Sequence, residues 1–495
     1  MATNRLTVLF ASSECVPFAS SGGLGDVVDA LPRILHGNKV NAIRVLPLYR
    51  RIKEANIPLK QKSLPIKIPV GLEHWEGRIW EMKSGKGPRT FFIEREELFD
   101  RSELYGPSHR PYDDNFERFL FFQKGIIALI DQLKIPVDIV HCNDWQTGLL
   151  PMLLKHGNEG RGRTANEKTL FTIHNLAYQG IFSPRLFPLT NLPGECFHYT
   201  RLEYFNQINC LKGGLAECDL ITTVSETYAR EIQTEEFGCG LESLLQHRSD
   251  DLVGIINGVD YQAWNPKTDS NLVKNYTPAQ IAGKKACKSA LISRFGLKEK
   301  KNTLLIGMIS RLAEQKGFEI IRRAISKCMN MDVQFVLLGS GDPKIEKWAR
   351  TWEKKWPERF SAEIGFEPGL AHQIEAGADL FLMPSRFEPC GLNQLYSLKY
   401  GTLPLVHDTG GLADTIVDLN DSPKCGTGFK MKSYTVPSLL DALQRAVDLY
   451  AESSNWETAM KRAMNTDFSW ERTSGNYLEV YRKLCDKTKR TDQTP

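Results

Sequence analysis

Residues 302–342 read NTLLIGMISRLAEQKGFEIIRRAISKCMNMDVQFVLLGSGD. Two apolar, branched runs, "TLLIGMIS" and "VQFVLLGSGD", flank "GFEIIRRAISKCM", whose apolar residues return at helical spacing. Strands buried on both faces have the first pattern and amphipathic helices the second. Strand, helix, strand in that order predicts a parallel βαβ unit.

The alternation continues on both sides. Downstream lie "ADLFLMPS" and "TLPLVHD"; upstream lie "LTVLFAS", "AIRVLPL", "VDIVHCN" and "TLFTIHN", with the helical stretch "NFERFLFFQKGIIALIDQL" among them. At 495 residues the chain is too long for one core. The pattern therefore predicts an α/β protein of two doubly wound, Rossmann-like domains. The boundary is placed after "GIINGVDYQAWNP", giving 1–265 and 266–470, with a final helix and frayed charged tail at 471–495. The polar, Lys-rich stretch 266–300 reads as a linker with a helix leading into the second domain.

Composition narrows the function classes. Formal net charge is +4 and charged residues make up 25%, which gives no electrostatic footprint for nucleic acid or an anionic membrane. No apolar run reaches the length of a membrane span. The apolar core Leu6–Ala11 is too short for a signal peptide and reads as a first strand. The eleven cysteines form no CxxC pair, which points to reduced thiols in a cytoplasm and to neither a disulfide framework nor a zinc site.

In such sheets ligands bind beyond the carboxyl ends of strands. The first strand runs into "SSGGLGD", where Gly22 and Gly23 bring backbone to a helix N-terminus. That suits a phosphate, or is simply a tight turn. The pattern is not GxGxxG, and no GxxxxGK[ST] loop occurs, which argues against a nicotinamide cofactor and a Walker-type site. "HCNDWQTG" and "TIHNLAYQG" place Asp144, His174, Asn175, Tyr178 and Gln179 after two further strands, with hydrogen-bonding groups of the kind that hold sugar hydroxyls. In "RLAEQKG", Arg311 and Lys316 lie at a helix start. Two cations there fit a diphosphate, or form a solvated turn. In "PSRFEPCGLNQLYSLKYGTLPLVHDTGGLAD" (384–414), Glu388 stands beside Cys390 and Gly391, either as a cleft carboxylate or paired with Arg386. "TGGLAD" then repeats the strand–Gly–Gly–helix device with Thr409, Gly410 and Gly411.

Taken together, "GGLGDV", "TIHNLAYQG", "TVSETYAREI", "NGVD", "ISRLAEQKG", "PSRFEPCGLNQLYSLKYGTLPLV" and "TGGLADT" resemble the bacterial glycogen synthase and plant starch synthase family across nearly the whole chain. The resemblance implies a GT-B fold, its two domains facing across a deep cleft, and transfer of glucose from ADP-glucose to the 4-hydroxyl of an α-1,4-glucan with retention. UDP-glucose or a small-sugar acceptor are its variants. A glucan-binding scaffold with weak catalysis is the rival.

The resemblance implies roles as well. Arg311 and Lys316 would hold the donor diphosphate, and Gly22, Gly23, Thr409, Gly410 and Gly411 would turn N–H groups to it. Glu388 and His174 would touch the glucosyl unit, with Cys390 and Gly391 beside the donor. Asp26, Asp144, Asn175 and Asn257 would line the sugar and acceptor side. Phe366 in "EIGFEPGLAHQIEAG" is the candidate ring for the base, and an aromatic face accepts any base. The family implies no metal, no other cofactor and a final helix that returns to the first domain. Its pattern leaves oligomeric state open. Three positions depart from the family pattern: Ser20 stands where the family has Lys, His407 where Arg is common, and Asn143 where many have His. Tyr396 stands where broader relatives carry a second Glu.

Overall fold

The computed structural model describes residues 5–38, 40–62, 65–82, 85, 87–107, 110–157 and 167–491, with side chains to 486. The chain forms two compact units. One comprises Met1–Val224, Ala229–Ile255 and Trp470–Pro495, the other Ser225–Tyr228 and Ile256–Ser469. The rearmost part of the expected frayed tail, 492–495, lies outside the described residues.

The first unit is built on a mixed sheet. Seven parallel strands run in the order Leu252–Gly254, Leu220–Thr223, Lys168–Ile173, Ile139–Asn143, Thr7–Ala11, Asn41–Pro47 and Arg89–Glu94. Glu73–Met82 then adds antiparallel, with Leu59–Gln61 and Ile66–Val70 paired to it. A separate three-stranded antiparallel sheet carries Ile181–Phe182, Glu203–Tyr204 and Gln207–Asn209. The strand order reverses between Thr7–Ala11 and Ile139–Asn143, so a crevice opens beyond their carboxyl ends. The helix Trp470–Thr491 belongs to this unit. Its buried Trp470, Tyr477, Tyr481 and Leu484 share one apolar cluster with Val8, Phe10, Leu31 and Ile139.

The second unit has six parallel strands: Phe360–Ile364, Val333–Gly339, Leu304–Ile309, Leu380–Met383, Leu403–His407 and Phe429–Met431. The predicted crossover is the helix Phe318–Cys328. It buries Phe318, Ile320, Ile321, Ala324, Ile325 and Cys328 and turns Glu319, Arg322 and Arg323 outward as ion pairs. Burying each large side chain contributes about 1.5–3 kcal/mol before entropy is counted. Here the order reverses between Leu304–Ile309 and Leu380–Met383.

The chain leaves the first unit after Ile255, ahead of the composition shift at 265. The reason is packing. Val259 N–H donates to Phe468 O at 2.7 Å, and Trp264 stacks on Tyr396 and His372, each at 3.9 Å. The polar stretch beyond it includes the helix Ala282–Arg294, whose Lys284 is buried and whose Lys288 pairs with Asp379 at 2.6 Å. No described helix is long and apolar enough to cross a membrane. All eleven cysteines are free thiols.

One buried cation braces the first unit. Arg118, in the helix Asn115–Leu133, is fully buried; no carboxylate pairs with it among the described residues. Its Nε donates to Leu98 O at 2.7 Å, and its Nη1 to Leu104 O at 3.0 Å and Asn115 Oδ1 at 2.6 Å. The rings of Tyr112, Phe119 and Phe99 surround the guanidinium. Asn115 Nδ2 then holds Tyr105 O at 2.9 Å. Arg118→Met is expected to strand these acceptors and cost about 3 kcal/mol or more. Urea unfolding measures it; a midpoint within error of wild type would contradict the role.

Candidate active site

In the second unit, strand Leu304–Ile309 delivers Arg311 at its carboxyl end. Gly317 follows at φ +81°, and a Cβ there would strike the Pro384 carbonyl. Only glycine lets the helix start press against the end of strand Leu380–Met383. Gln315 and the 386–387 backbone then bond reciprocally: Arg386 N–H to Gln315 O at 2.8 Å, and Gln315 Nε2 to Phe387 O at 3.1 Å. This brings Lys316 Nζ to 2.6 Å from Glu388 Oε2, which also accepts the Ser385 hydroxyl at 3.0 Å. Glu388 is 6% exposed. Its partner is therefore Lys316, and the Arg386 pairing left open above does not form. Arg311 is exposed, and its guanidinium has no partner among the described residues.

Thr409, Gly410 and Gly411 pack against 388–390. Gly410 has φ +46°, and a Cβ there would meet Glu388 O. Gly411 N–H donates to Glu388 O and Pro389 O, both at 3.1 Å, and Thr409 N–H donates to His407 O at 2.9 Å. These two N–H groups are spent inside the chain, so a phosphate would have to compete for them. Cys390 is buried, and burial pushes its thiol up to about 12 against hydrogen bonding from Asn257. Asn257 is 4% exposed, and its buried Oδ1 has no partner among the described residues. Gly391 holds φ +71° beside Gln394, which bonds the Cys390 and Gly391 carbonyls. Phe366 stands 87% exposed between strand Phe360–Ile364 and helix Pro368–Gly377. Tyr396 lies on Trp264.

In the first unit, the loop after Thr7–Ala11 is held by Glu14, a residue the sequence reading did not single out. Its carboxylate accepts the Ser21 N–H at 2.5 Å, the Ser21 hydroxyl at 2.7 Å and the Tyr105 hydroxyl at 2.6 Å. Ser20 turns its hydroxyl onto Gly22 O at 3.1 Å. Helix Gly23–Gly37 begins with no side-chain cap. The N–H groups of Gly22, Gly23 and Leu24 find no acceptor among the described residues. Open N–H groups at a helix start favour an anion. Asp26, in that first turn, keeps solvent access while protein crowds it; this crowding, with Asp29 and Glu14, raises its pKa to about 6.

Asp144 follows strand Ile139–Asn143 with φ +55° and ψ −177°, next to a region that is almost exclusive to glycine. Its N–H donates to Thr172 O at 3.1 Å, and its carboxylate accepts the His174 N–H at 2.8 Å. Burial raises its pKa to about 7 against the pull of the His174 and Asn175 N–H groups, and Glu14 adds to the rise. His174 follows strand Lys168–Ile173. Its Nε2 lies 2.9 Å from Asn143 Oδ1, and burial lowers its pKa to about 3, so the ring is neutral. Behind it, His141 sits between the Tyr481 hydroxyl at 2.9 Å and the Thr172 hydroxyl at 2.6 Å.

The neighbouring polar residues divide. Gln179 is buried, donates to Cys239 O at 3.0 Å and accepts from Asn209 Nδ2 at 2.6 Å, so it holds the loop. The stretch around Asn209 is therefore a buttress. Asn175 closes a turn by accepting Ala177 N–H at 3.1 Å, and Tyr178 is half exposed.

Comparison with known proteins gives the same outline. Residues 7–247 match the starch synthase catalytic domain and residues 291–463 match the glycosyl transferases group 1 domain. The chain is 45% identical to a glycogen synthase of Anaeromyxobacter dehalogenans (strain 2CP-C), over 97% of this chain and 100% of that one. It is 42% identical to a glycogen synthase of Koribacter versatilis, over 96% and 98%. It is similar in structure to the catalytic domain of starch synthase IV from Arabidopsis thaliana bound to ADP and acarbose. The TM-score is 0.89 at 31% identity, covering 97% of this chain and 99% of that one. A sucrose-phosphate synthase from Thermosynechococcus elongatus shares the fold alone, at TM-score 0.62 and 16% identity over 97% of this chain and 99% of that one.

Proposed function

This chain belongs to the glycogen and starch synthase family of glycosyltransferases, and we propose that it transfers glucose from ADP-glucose to the non-reducing 4-hydroxyl of an α-1,4-glucan with retention of configuration. The observation that carries this reading is Arg311, an exposed cation whose guanidinium has no partner among the described residues, at the same strand-order reversal as the Lys316–Glu388 pair. An unclaimed guanidinium there fits the oxygens of a departing diphosphate.

The second unit holds the donor in this mechanism. Arg311 takes charge as the bond to the diphosphate breaks, and Lys316 shares its proton-rich head between Glu388 and the phosphate. Glu388 fixes a glucosyl hydroxyl, Asn257 Oδ1 accepts another, and Phe366 stacks on the base. In the first unit, His174 and Asp144 offer a sugar a neutral imidazole and a protonatable carboxyl. The open N–H groups of Gly22 and Gly23 face anionic oxygen. No side chain is free to act as a covalent nucleophile among these groups. The departing phosphate oxygen takes the acceptor proton on the face it vacates, which retains the α configuration. The two cations do the work a metal would do, so turnover is expected to survive EDTA.

The test is chain-length analysis after incubation with ADP-glucose or UDP-glucose, with and without an oligomaltoside primer. Stepwise, α-amylase-sensitive extension with ADP-glucose is expected. Glucan binding without turnover of either donor would sink the reading. Ser20→Lys would then be the first change to make, because Ser20 puts no charge on the glycine loop.

A further inference from the structure

We propose that Asn143 is a positioning residue that locks His174 in its Nε2–H tautomer, leaving Nδ1 as an obligate acceptor for a substrate hydroxyl. Asn143 is 1% exposed at the end of strand Ile139–Asn143. Its amide nitrogen points at two groups that can only accept, Ala11 O at 3.1 Å and His141 O at 3.3 Å. That fixes which end of the amide faces His174: the oxygen, which can only accept. At 2.9 Å from it, His174 Nε2 must therefore carry the hydrogen.

Burial keeps this ring neutral, so the one N–H is already spent. The backbone N–H of His174 is spent as well, on Asp144. Adjacent residues Asn143 and Asp144 thus hold His174 by ring and by backbone. His141 makes a useful contrast. Its two partners are hydroxyls, each able to donate or accept, so nothing there selects a tautomer. His174 can receive a hydrogen bond from substrate and can give neither a bond nor a proton. On the proposed transferase reading, the glucosyl hydroxyl at this ring is read as a donor.

Nitrogen-15 NMR of histidine-labelled protein, recorded without substrate, tests the lock directly. A His174→Gln control identifies the signals among ten histidines. A protonated Nε2 with a bare Nδ1 is expected; a protonated Nδ1 or an imidazolium would overturn the proposal. Asn143→Asp keeps an acceptor toward Nε2 but adds charge and loses both donations. It is expected to move the His174 signals toward imidazolium and lower kcat/KM roughly tenfold, with KM for the glucan primer unchanged. Lost activity with unmoved His174 signals would make Asn143 merely structural and overturn the assignment. Should that variant fail to fold, the wild-type spectrum still decides. In wild-type assays, deoxy and deoxyfluoro donors should lose equally at one ring position, since fluorine cannot donate. Recovery by fluorine at every position would count against the obligate acceptor. Because the tautomer is read without substrate, a chain with the predicted tautomer and no turnover fails the transferase reading alone.

Discussion

Arg311→Ala is expected to lower kcat by about 10²–10³, the loss found when one preorganised donor to a developing negative charge is removed, and to leave the melting temperature where it was. Both halves follow from the same observation. The Arg311 side chain is exposed and its guanidinium bonds to no other described residue, so truncating it leaves the bonds that Ser310 and Ala313 make to Arg311 O in place. Whatever it contributes is contributed to a ligand. Arg311→Lys keeps a point charge but not the planar fork, and recovery should be partial. Initial rates at saturating donor and primer, set beside a thermal melt, measure the pair of effects. Activity within a few-fold of wild type would remove Arg311 from the phosphate clamp.

Lys316 behaves differently, because it already has a partner. Lys316→Met leaves Glu388 buried with no cation, and breaking such a pair costs about 3–5 kcal/mol in addition to the lost clamp. The Ser385 hydroxyl is then Glu388's remaining partner. The double variant Lys316→Met/Glu388→Gln removes the stranded charge, and the glutamine oxygen still accepts from Ser385. Its stability should return to within about 1 kcal/mol of wild type, and its activity should not return. Urea melts of the four proteins in the cycle, with rates on each, separate the two consequences. If the single variant is as stable as wild type, the 2.6 Å pair is not the brace described here. If the double variant regains activity, neither residue belongs to the donor site.

The sequence made the strand ends findable, because parallel buried strands leave continuous branched runs and the candidate residues collect just after them. Arg311, Glu388, Asp144 and His174 all sit at such ends. Their partners were not legible. Glu388 and Lys316 are 72 residues apart, and nothing in either segment says which cation reaches the carboxylate. Glu14 and Tyr105 are 91 apart, and a Glu in a serine-rich loop looks solvated until the fold buries it. Lys284 and Lys288 read as a polar linker for the same reason: composition records charge, and only tertiary packing decides whether charge meets water. The antiparallel Glu73–Met82 and its neighbours went unassigned because charged residues such as Glu73, Glu76, Arg78 and Glu81 break up any apolar run. Gln179 has the residue type that suits a sugar hydroxyl, and only the fold shows its amide bonded to Cys239 O and Asn209 Nδ2.

The backbone at Asp144 sets folding and function against each other. Conformations of this kind cost a residue with a side chain about 1–3 kcal/mol, and glycine alone would adopt it freely. A lineage under selection for folding alone would thus drift toward glycine there, by a single nucleotide change from either aspartate codon. The aspartate offsets that strain with the carboxylate that accepts the His174 N–H, so Asp144→Gly would relieve the backbone and give up that bond together.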